Sequence, residues 1–592
     1  MDQKHLLWLV LLASSLPLGA ASNFSPTASA QSTSGEIRGV TRSPGGLLLL
    51  PQAQVIVHGS DDNPNCAVTS DSDGRFALEQ LKPGHYLLEA KKAGFAGSRA
   101  ILVDLAPGQS VDLDLTLGAS VSTSPISQQT DPPGFLKRLF KAYADDWRVT
   151  AASNDPPAVR RWNATPVDGP PFPFSDWPYG GSVVIGTPWT QSSPLMQALW
   201  SGPHGEAWKK SGVQIYGWLN AGCNVSTSHK SRYANFPEAY TEVADACVPD
   251  QQVLYMERQP DTVQTDHFDW GFRVTSLYGL DYRFTTGKGY FSHQLLGKNY
   301  EYGFDPVMAY VDLYFPKVAE GMNVRIGRYI SLPDIEAQLA PNNYTYSHSI
   351  LYTFDAYTQT GINTTTRLTK HWMLQLGLSA GNDVAPWVGE PDAKPTFNGC
   401  VIYNWKEGRD NHYACLNSLN SGKYAYNNLQ SVYYTWYHKF ANSSWHTATE
   451  WWYMWEKQTP NVGPSAPPAA ASLLITGANG AFCKNPTALT CTSAEQAVVN
   501  YVEKQFSKHN YLTIRNELVD DKEGQRTGTK TKYSEHLLGW GHWIGTTILL
   551  RPELRFEHSY DRPAYDSPCL PCGLPGTKES QLTLASDAIF FF

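Results

Sequence analysis

From about residue 213 onward the chain alternates. About fourteen runs of strand length follow one another, near 213–226, 251–259, 269–283, 307–316, 322–331, 350–367, 371–381, 428–440, 445–458, 497–507, 510–521, 532–543, 546–560 and 580–592. Within them apolar and polar positions take turns with a period of two. Between Ile548 and His558, Ile548, Leu550, Leu554 and Phe556 share one face with Pro552, while Arg551, Glu553, Arg555 and Glu557 share the other. Ala309, Val311, Leu313 and Phe315 oppose Tyr310, Asp312 and Tyr314 in the same way, and Leu512, Ile514 and Leu518 oppose Thr513, Arg515 and Glu517. Charges on one face and hydrocarbon on the other suit a strand with a wet interior behind it and lipid outside.

A soluble sandwich alternates too, so the connections carry weight. They alternate in length, short at 369–370, 441–444 and 545, long near 227–250, 284–306, 332–349, 382–427, 459–496 and 561–579. Tight turns at one rim and long loops at the other are the habit of outer-membrane barrels. The expected fold is therefore all-β, an antiparallel transmembrane β-barrel of about 14 strands (range 12–16) over residues 213–592, preceded by a small β-sandwich.

That sandwich is expected over 34–118, where short runs such as Gln54-Val55-Ile56-Val57-His58 and His85-Tyr86-Leu87-Leu88 are parted by Gly, Pro and Asp turns. Residues 119–212 read as a linker, because Pro132-Pro133, Pro156-Pro157 and Gly169-Pro170-Pro171-Phe172-Pro173 forbid regular helix or central strand. Inside it Phe135, Leu136, Leu139, Phe140, Tyr143 and Trp147 share a helical face over 134–147, for a helix that could lie on the membrane, dock at the barrel mouth or enter the lumen. Residues 1–30 read as a signal peptide: Lys4, an apolar run from Leu6 to Leu12 and on to Ala20, and a small-residue cleavage site at Ala28-Ser29-Ala30, with a second candidate at Ala20-Ala21-Ser22.

Composition narrows the class. A net charge of -8 with no basic stripe argues against a nucleic-acid partner. Past the N-terminus no run approaches the roughly 18 apolar residues of a spanning helix, which leaves strands as the means of crossing a membrane. Nineteen Trp, 32 Tyr and 23 Phe need a use, and interfacial girdles supply one: Trp451, Tyr453 and Trp455 share a face, with Tyr433, Tyr434, Trp436 and Tyr437 nearby. Nine cysteines fit an oxidising compartment. Eight group as near neighbours, Cys223 with Cys247, Cys400 with Cys415, Cys483 with Cys491 and Cys569 with Cys572, all in or beside the long connections, and Cys66 is left over. Spacing alone fixes no connectivity, and Cys569-Leu570-Pro571-Cys572 could also be a redox or metal motif, though no second Cys/His pair accompanies it. The chain ends Ile589-Phe590-Phe591-Phe592; a last strand with Phe590 and Phe592 on one face resembles the assembly signal read by the barrel-assembly machinery.

Two resemblances follow. Asp71-Ser72-Asp73-Gly74-Arg75-Phe76 and Leu81-Lys82-Pro83-Gly84-His85-Tyr86 resemble the carboxypeptidase regulatory-like, transthyretin-type domain, which implies a seven-stranded sandwich without catalysis. Ala309-Tyr310-Val311-Asp312-Leu313-Tyr314, Asn323-Val324-Arg325-Ile326-Gly327-Arg328-Tyr329, Tyr346-Ser347-His348-Ser349, Arg515-Asn516-Glu517-Leu518-Val519-Asp520-Asp521 and Arg551-Pro552-Glu553-Leu554-Arg555-Phe556 resemble the OmpL-like β-barrel porin family. That resemblance implies an outer-membrane barrel passing small solutes, with lipid around it and the N-terminal sandwich in the periplasm facing a periplasmic or cell-wall partner. It implies no cofactor, metal or catalytic residue. Asp312, Arg325, Arg515, Glu517, Arg551, Glu553, Arg555 and Glu557 are the candidate pore-lining charges, with mutual pairing across strands as the alternative role. The loop from Ser331 to His348 is the candidate constriction. Ser347-His348-Ser349 could be imagined as a catalytic group, but no nucleophile elbow or His-Glu-x-x-His motif supports an enzyme. A second class of function is surface binding, adhesion or envelope organisation. A third, a TonB-dependent-type transporter, is poorly served by a barrel region short for 22 strands.

Overall fold

The computed structural model describes residues 34–43, 49–59, 66–92, 95–98, 100–119, 133–148, 185–186, 193–238, 240–330, 335–353, 356–405, 409–441, 443–462, 480–507, 509–569 and 574–592. The signal segment 1–30, most of the Pro-rich linker, Leu332-Pro333-Asp334 and Cys572 lie outside the described residues. The chain divides into two compact units after Ser124.

The first unit has eight short strands where seven are implied: β1 (Gly35–Arg42), β2 (Gln54–Gly59), β3 (Cys66–Thr69), β4 (Arg75–Leu81), β5 (Gly84–Lys91), β6 (Phe95–Ser98), β7 (Ile101–Leu105) and β8 (Ser110–Ala119). They form two four-stranded sheets, β4-β1-β8-β6 and β3-β2-β5-β7. Alternate residues from both, among them Ile37, Val55, Val57, Phe76, Leu88 and Leu115, make one apolar core. Asp71 uses its carboxylate on its own turn, accepting from the amides of Asp73 and Arg75 at 2.8 and 2.9 Å. Cys66 is free and half-buried.

The second unit opens with helices α1 (Phe135–Arg148), α2 (Pro194–Trp200) and α3 (Gly205–Ser211). It then winds into a closed barrel of sixteen strands: β9 (Val213–Ser226), β10 (Cys247–Arg258), β11 (Asp269–Gly279), β12 (Gly303–Phe315), β13 (Met322–Ile330), β14 (Thr358–Arg367), β15 (Trp372–Asn382), β16 (Thr396–Trp405), β17 (Asp410–Leu419), β18 (Gln430–Lys439), β19 (Trp445–Pro460), β20 (Thr490–Gln505), β21 (Asn510–Asp521), β22 (Thr531–Ile544), β23 (Ile548–Ser559) and β24 (Ser580–Phe591). Every neighbouring pair is antiparallel and consecutive, and β24 closes on β9. Full closure leaves no strand edge, which is the condition for strands to cross hydrocarbon.

Sixteen strands stand at the top of the expected range and two above its centre. The missing pair is the hairpin β16–β17, inside what the sequence presents as one long connection over 382–427. Its inward positions are Asn398, Cys400, Ile402, Asn404, Asn411, Tyr413 and Cys415, so a mixed polar and apolar inner face blurs the alternation. A second correction concerns the run 350–367: the strand begins only at Thr358, and Ile350–Thr353 is a helical turn of the preceding loop.

Connections do alternate. The β10–β11, β12–β13, β14–β15, β16–β17, β18–β19, β20–β21 and β22–β23 links, together with both ends of the barrel chain, gather at one rim; the longest loops, among them 227–246, 280–302, 331–357, 461–489 and 560–579, gather at the other. The barrel is built inside out. On β23, Arg551, Glu553, Arg555 and Glu557 are buried while Leu554 and Phe556 are exposed. The same holds on β21 and β24. An exposed apolar belt around a charged interior belongs in lipid. The girdle expectation needs correcting in part: Trp451 and Tyr434 face outward, but Tyr433, Tyr437 and Trp452 point into the barrel.

The disulfides divide between the faces. Cys223–Cys247 joins β9 to β10 on the outer face near the long-loop rim, and Cys483–Cys491 ties the 461–489 loop to the start of β20. Cys400–Cys415 lies in the wall between β16 and β17 and faces the lumen, because the connection thought to carry it is a strand pair. Cys569 is disulfide-bonded as well.

The inside-out assignment has a direct test. Leu554→Arg, which puts a charge on the outer face halfway along β23, is expected to destabilise the barrel in phospholipid by about 2–4 kcal/mol. Urea titration of the folded fraction reads it; an unchanged midpoint would mean that Leu554 does not face lipid.

Candidate functional site: the barrel lumen

The interior has two walls of different chemistry. Along β15 to β20, Met373, Ile402, Tyr413, Tyr433, Tyr437 and Trp452 turn inward and form one apolar cluster. Along β21 to β24 the inward residues include a set of charges that fall into rows set by strand register. Glu517, Glu535 and Glu557 stand side by side on β21, β22 and β23. Two residues along, Arg515, Leu537 and Arg555 form the next row. Three carboxylates abreast would repel one another strongly. The arginines relieve this: Arg515 Nε donates to Glu535 Oε1 at 2.6 Å, and Arg555 Nη2 lies 3.0 Å from Glu535 Oε2 and 2.9 Å from Glu557 Oε1. Further toward the short-turn rim, Arg551 grips Asp587 of β24 with two nitrogens, Nε at 3.0 Å. Across the barrel Asp312 and Arg325 oppose each other on β12 and β13 in a bidentate pair at 2.9 and 2.7 Å, with the Arg325 guanidinium 3.6 Å from the centre of the Tyr310 ring.

Between the two walls lies the loop joining β13 to β14. Nearly every described residue from Ile335 to Thr353 is buried. Ile335, Leu339, Tyr344, Ile350 and Leu351 join the same apolar cluster as the aromatic wall. The charged wall takes the loop's backbone. Arg551 Nη1 donates to the carbonyls of Ala340 and Asn343 at 2.7 and 2.8 Å. Arg515 Nη1 donates to the carbonyl of Ser347 at 2.7 Å, and Arg555 Nη1 to that of His348 at 2.9 Å. The carboxylates do the converse: Glu553 accepts from the amides of Tyr346 and Ser347 at 2.9 and 3.1 Å, and Glu517 from those of Ile350, at 2.8 Å, and Leu351. Glu517 thereby satisfies two amides at the start of the helical turn Ile350–Thr353, amides with no partner inside that turn. Gly222 permits a further contact, since a Cβ there would sit 2.1 Å from Cζ of the Tyr346 ring.

Of the eight charges singled out from the sequence, Arg515, Glu517, Arg551, Glu553 and Arg555 hold this loop; Asp312 and Arg325 pair with each other; and Glu557 accepts from Arg555 and Gln581. All eight face inward and are buried. Sequence reasoning missed Glu535, Asp587 and the loop's own Glu336. Glu535 and Asp587 sit at inward alternation positions of expected strands, so the period-two pattern held the signal for both. Glu336 had none, because a loop has no period. It accepts from the Tyr501 hydroxyl and the Ser349 amide inside the barrel, and burial pushes its carboxyl up from the usual range against the pull of Arg515. His348 belongs to the same buried packing: its Nε2 meets the Ala337 carbonyl at 2.7 Å, and its ring stacks on Tyr240 at 3.7 Å. Burial, with Arg515, Arg551 and Arg555 in range, holds His348 well below the ordinary histidine range, so it is neutral.

Two outcomes follow. Arg515→Ala leaves Glu336 exposed to burial without its nearest cation and Glu535 with Arg555 alone, so a loss of about 3 kcal/mol is expected in the urea midpoint; a loss under half that would show that the guanidinium is not what balances the row. A histidine with a depressed folded value adds stability that is lost as pH falls below its unfolded value of about 6.5. Wild type and His348→Gln should therefore keep a constant stability difference at pH 7–8, with wild type losing ground progressively below about 6.5.

Comparison with known proteins bears on the whole arrangement. Residues 36–118 match the carboxypeptidase regulatory-like domain, and residues 212–592 match the family described as beta-barrel porin-2, OmpL-like. No curated protein matches. Among solved structures, the anion-selective porin from Comamonas acidovorans is similar with a TM-score of 0.39 and 11% identity, over 64% of this chain and 99% of that one. The outer membrane channel DcaP of Acinetobacter baumannii gives 0.38 and 12%, over 65% and 98%. OmpT of Vibrio cholerae gives 0.35 and 8%, over 64% and 97%. With the family match spanning the entire barrel, this chain belongs to the OmpL-like beta-barrel porin-2 family, as an outer-membrane barrel of porin type carrying a carboxypeptidase regulatory-like domain ahead of it.

Proposed function

We propose that the protein is a channel for passive diffusion of small hydrophilic solutes, and that its conducting path opens between the charged wall and the inserted loop when the loop gives up its backbone bonds. The observation that carries this reading is the way the loop is held. Arg515, Arg551, Arg555, Glu517 and Glu553 bind it through backbone amides and carbonyls, and no disulfide among the described residues tethers it. Groups that bind amides and carbonyls can equally bind water and polar solute, so a displaced loop leaves a wall already suited to hydrophilic traffic. Mixed signs in alternating rows favour selection by size and dipole over selection by charge. Catalysis has no part in this reading.

The rest of the assignment follows from the barrel's polarity. Short turns and both chain ends of the barrel share one rim, which by the general habit of such barrels is periplasmic; the sandwich then lies in the periplasm, available to a cell-wall or other periplasmic partner. Phe592 pairs with Gly217 through both backbone groups at 2.9 and 3.2 Å, so the terminal aromatic closes the barrel seam, a fitting place for recognition by the assembly machinery. A second reading, a barrel serving surface binding or envelope organisation, is favoured by one feature: the interior is packed, with its charges buried.

Planar-bilayer recordings separate the two. Wild type is expected to give small or infrequent conductance steps, and a variant with residues 336–352 replaced by a short Gly/Ser linker should give steps several-fold larger. If the linker variant folds and conducts no more than wild type, the diffusion reading fails and the binding reading stands.

A further inference from the structure

Helix α1 packs on α2 and on the barrel and leaves the rest of its surface exposed. Arg138 Nε donates to the Ala198 carbonyl of α2 at 2.9 Å. Ala142 and Tyr143 are buried: the Tyr143 ring stacks on Phe590 at 5.2 Å and its hydroxyl donates to the Phe591 carbonyl at 3.0 Å. Asp146 accepts from the amide and hydroxyl of Thr546 at 2.9 and 2.7 Å, and Trp147 Nε1 donates to Thr547 Oγ1 at 2.9 Å. Phe590 stands on the same strand face as Leu582 and Leu584, the outward, lipid-facing one. The helix is thus clamped to the outside of the barrel beside the β22–β23 turn, at the short-turn rim.

The next face is mostly bare. Leu136 is 63% exposed and Phe140 68%, and Trp147, tied at its nitrogen to Thr547, leaves the rest of its ring 50% exposed. At about 100° per residue these three fall on one stripe. Lys137, Lys141 and Arg148 fall on the next stripe, all three exposed, with Lys141 paired to the exposed Asp145 one turn on. An apolar stripe flanked by a basic one is the pattern of a helix lying in a membrane interface, apolar side among acyl chains and cations on headgroup phosphates. The outer barrel face at the same rim is apolar too, with Phe590 under the Tyr143 ring and Trp540 and Ile544 exposed toward the end of β22.

We propose that α1 is an interfacial anchor: it lies in the periplasmic leaflet beside the closing strand, with Leu136, Phe140 and Trp147 in the acyl region and Lys137, Lys141 and Arg148 on anionic phospholipid headgroups. It would fix the chain entering the barrel to the membrane beside the end of β24, and it does not depend on whether the lumen conducts.

The test uses the full chain with Cys66→Ser and a single Phe140→Cys carrying an environment-sensitive dye, in vesicles of phosphatidylethanolamine and phosphatidylglycerol. Leu136→Cys serves if the first variant folds poorly, and Leu584→Cys, on the outer barrel face, is the positive control. Blue-shifted emission, quenched by shallow nitroxide lipids and protected from iodide, is expected. Reversing Lys137, Lys141 and Arg148 to Glu should weaken this lipid contact about fivefold per position in low salt. Iodide access equal to that of the free dye overturns the proposal. So does protection without nitroxide quenching, which would place a second copy or the N-terminal unit over the stripe. Quenching indifferent to the three charge reversals overturns the headgroup part.

Discussion

An irregular segment buried inside a barrel brings with it amides and carbonyls that no helix or ladder satisfies, and each one left alone costs about 1–3 kcal/mol. A wall of buried guanidinium and carboxylate groups has the complementary difficulty, since an unpaired buried charge costs several kcal/mol. In this barrel each solves the other's problem. The arginines of β21 and β23 take the carbonyls of Ala340, Asn343, Ser347 and His348; the glutamates take the amides of Tyr346, Ser347, Ile350 and Leu351. Because the bonds run to backbone, they depend on the path of the loop more than on its side chains. The side chains reach several strands: Tyr344 meets His446 of β19 and Tyr511 of β21, Glu336 meets Tyr501 of β20, and Tyr346 meets Asp250 of β10.

The division into two walls follows from that. A loop that offers both apolar side chains and unpaired backbone needs an apolar surface beside a hydrogen-bonding one, and consecutive strands of the barrel provide two adjoining arcs. Tyr433, Tyr437 and Trp452 occupy one, Arg515, Arg551 and Arg555 the other. The register explains why the row of three glutamates is tolerated: Glu535 in the middle has an arginine on each neighbouring strand, and each outer glutamate has further donors, from the loop amides at Glu517 and from Gln581 at Glu557.

Much of this was legible in the chain, for one reason: a strand in a membrane wall repeats every two residues, and any run long enough shows it. β21 coincides with its expected run, β23 lies within an expected 546–560, and the charges of both strands are buried on the inward face. The hairpin β16–β17 escaped because its inner face mixes Asn, Cys, Ile and Tyr, and its outer face is broken by Gly399 and Ala414. Tyr433 and Tyr437 were misplaced because an aromatic suits either an interfacial girdle or a packed lumen, and type alone does not distinguish them. That the wall charges hold a loop, beyond pairing among themselves, could not be read at all. The partners are backbone groups, which every residue carries, and they come from about 160 to 210 residues away along the chain.

Closure poses a different difficulty, and it bears on why the chain spends residues ahead of the barrel. Every strand pair but one joins neighbours in sequence and forms locally; β24 with β9 must wait until the whole sheet has curled. That last ladder runs from Thr583–Ser226 to Phe591–Trp218 and ends on the Phe592–Gly217 backbone pair at the short-turn rim. It carries little polar reinforcement there, because the nearest wall ion pair, Arg551–Asp587, sits further in. The Tyr143 ring on Phe590 and its hydroxyl on the Phe591 carbonyl fall on this stretch, while Phe591 itself packs inward between Trp218 and Trp543. Aromatic contacts from both sides thus reinforce the seam at its outer end, where a ladder would otherwise fray. The segment before the first barrel strand and the last residues of the final strand stabilise one another, so neither is complete until the barrel is closed.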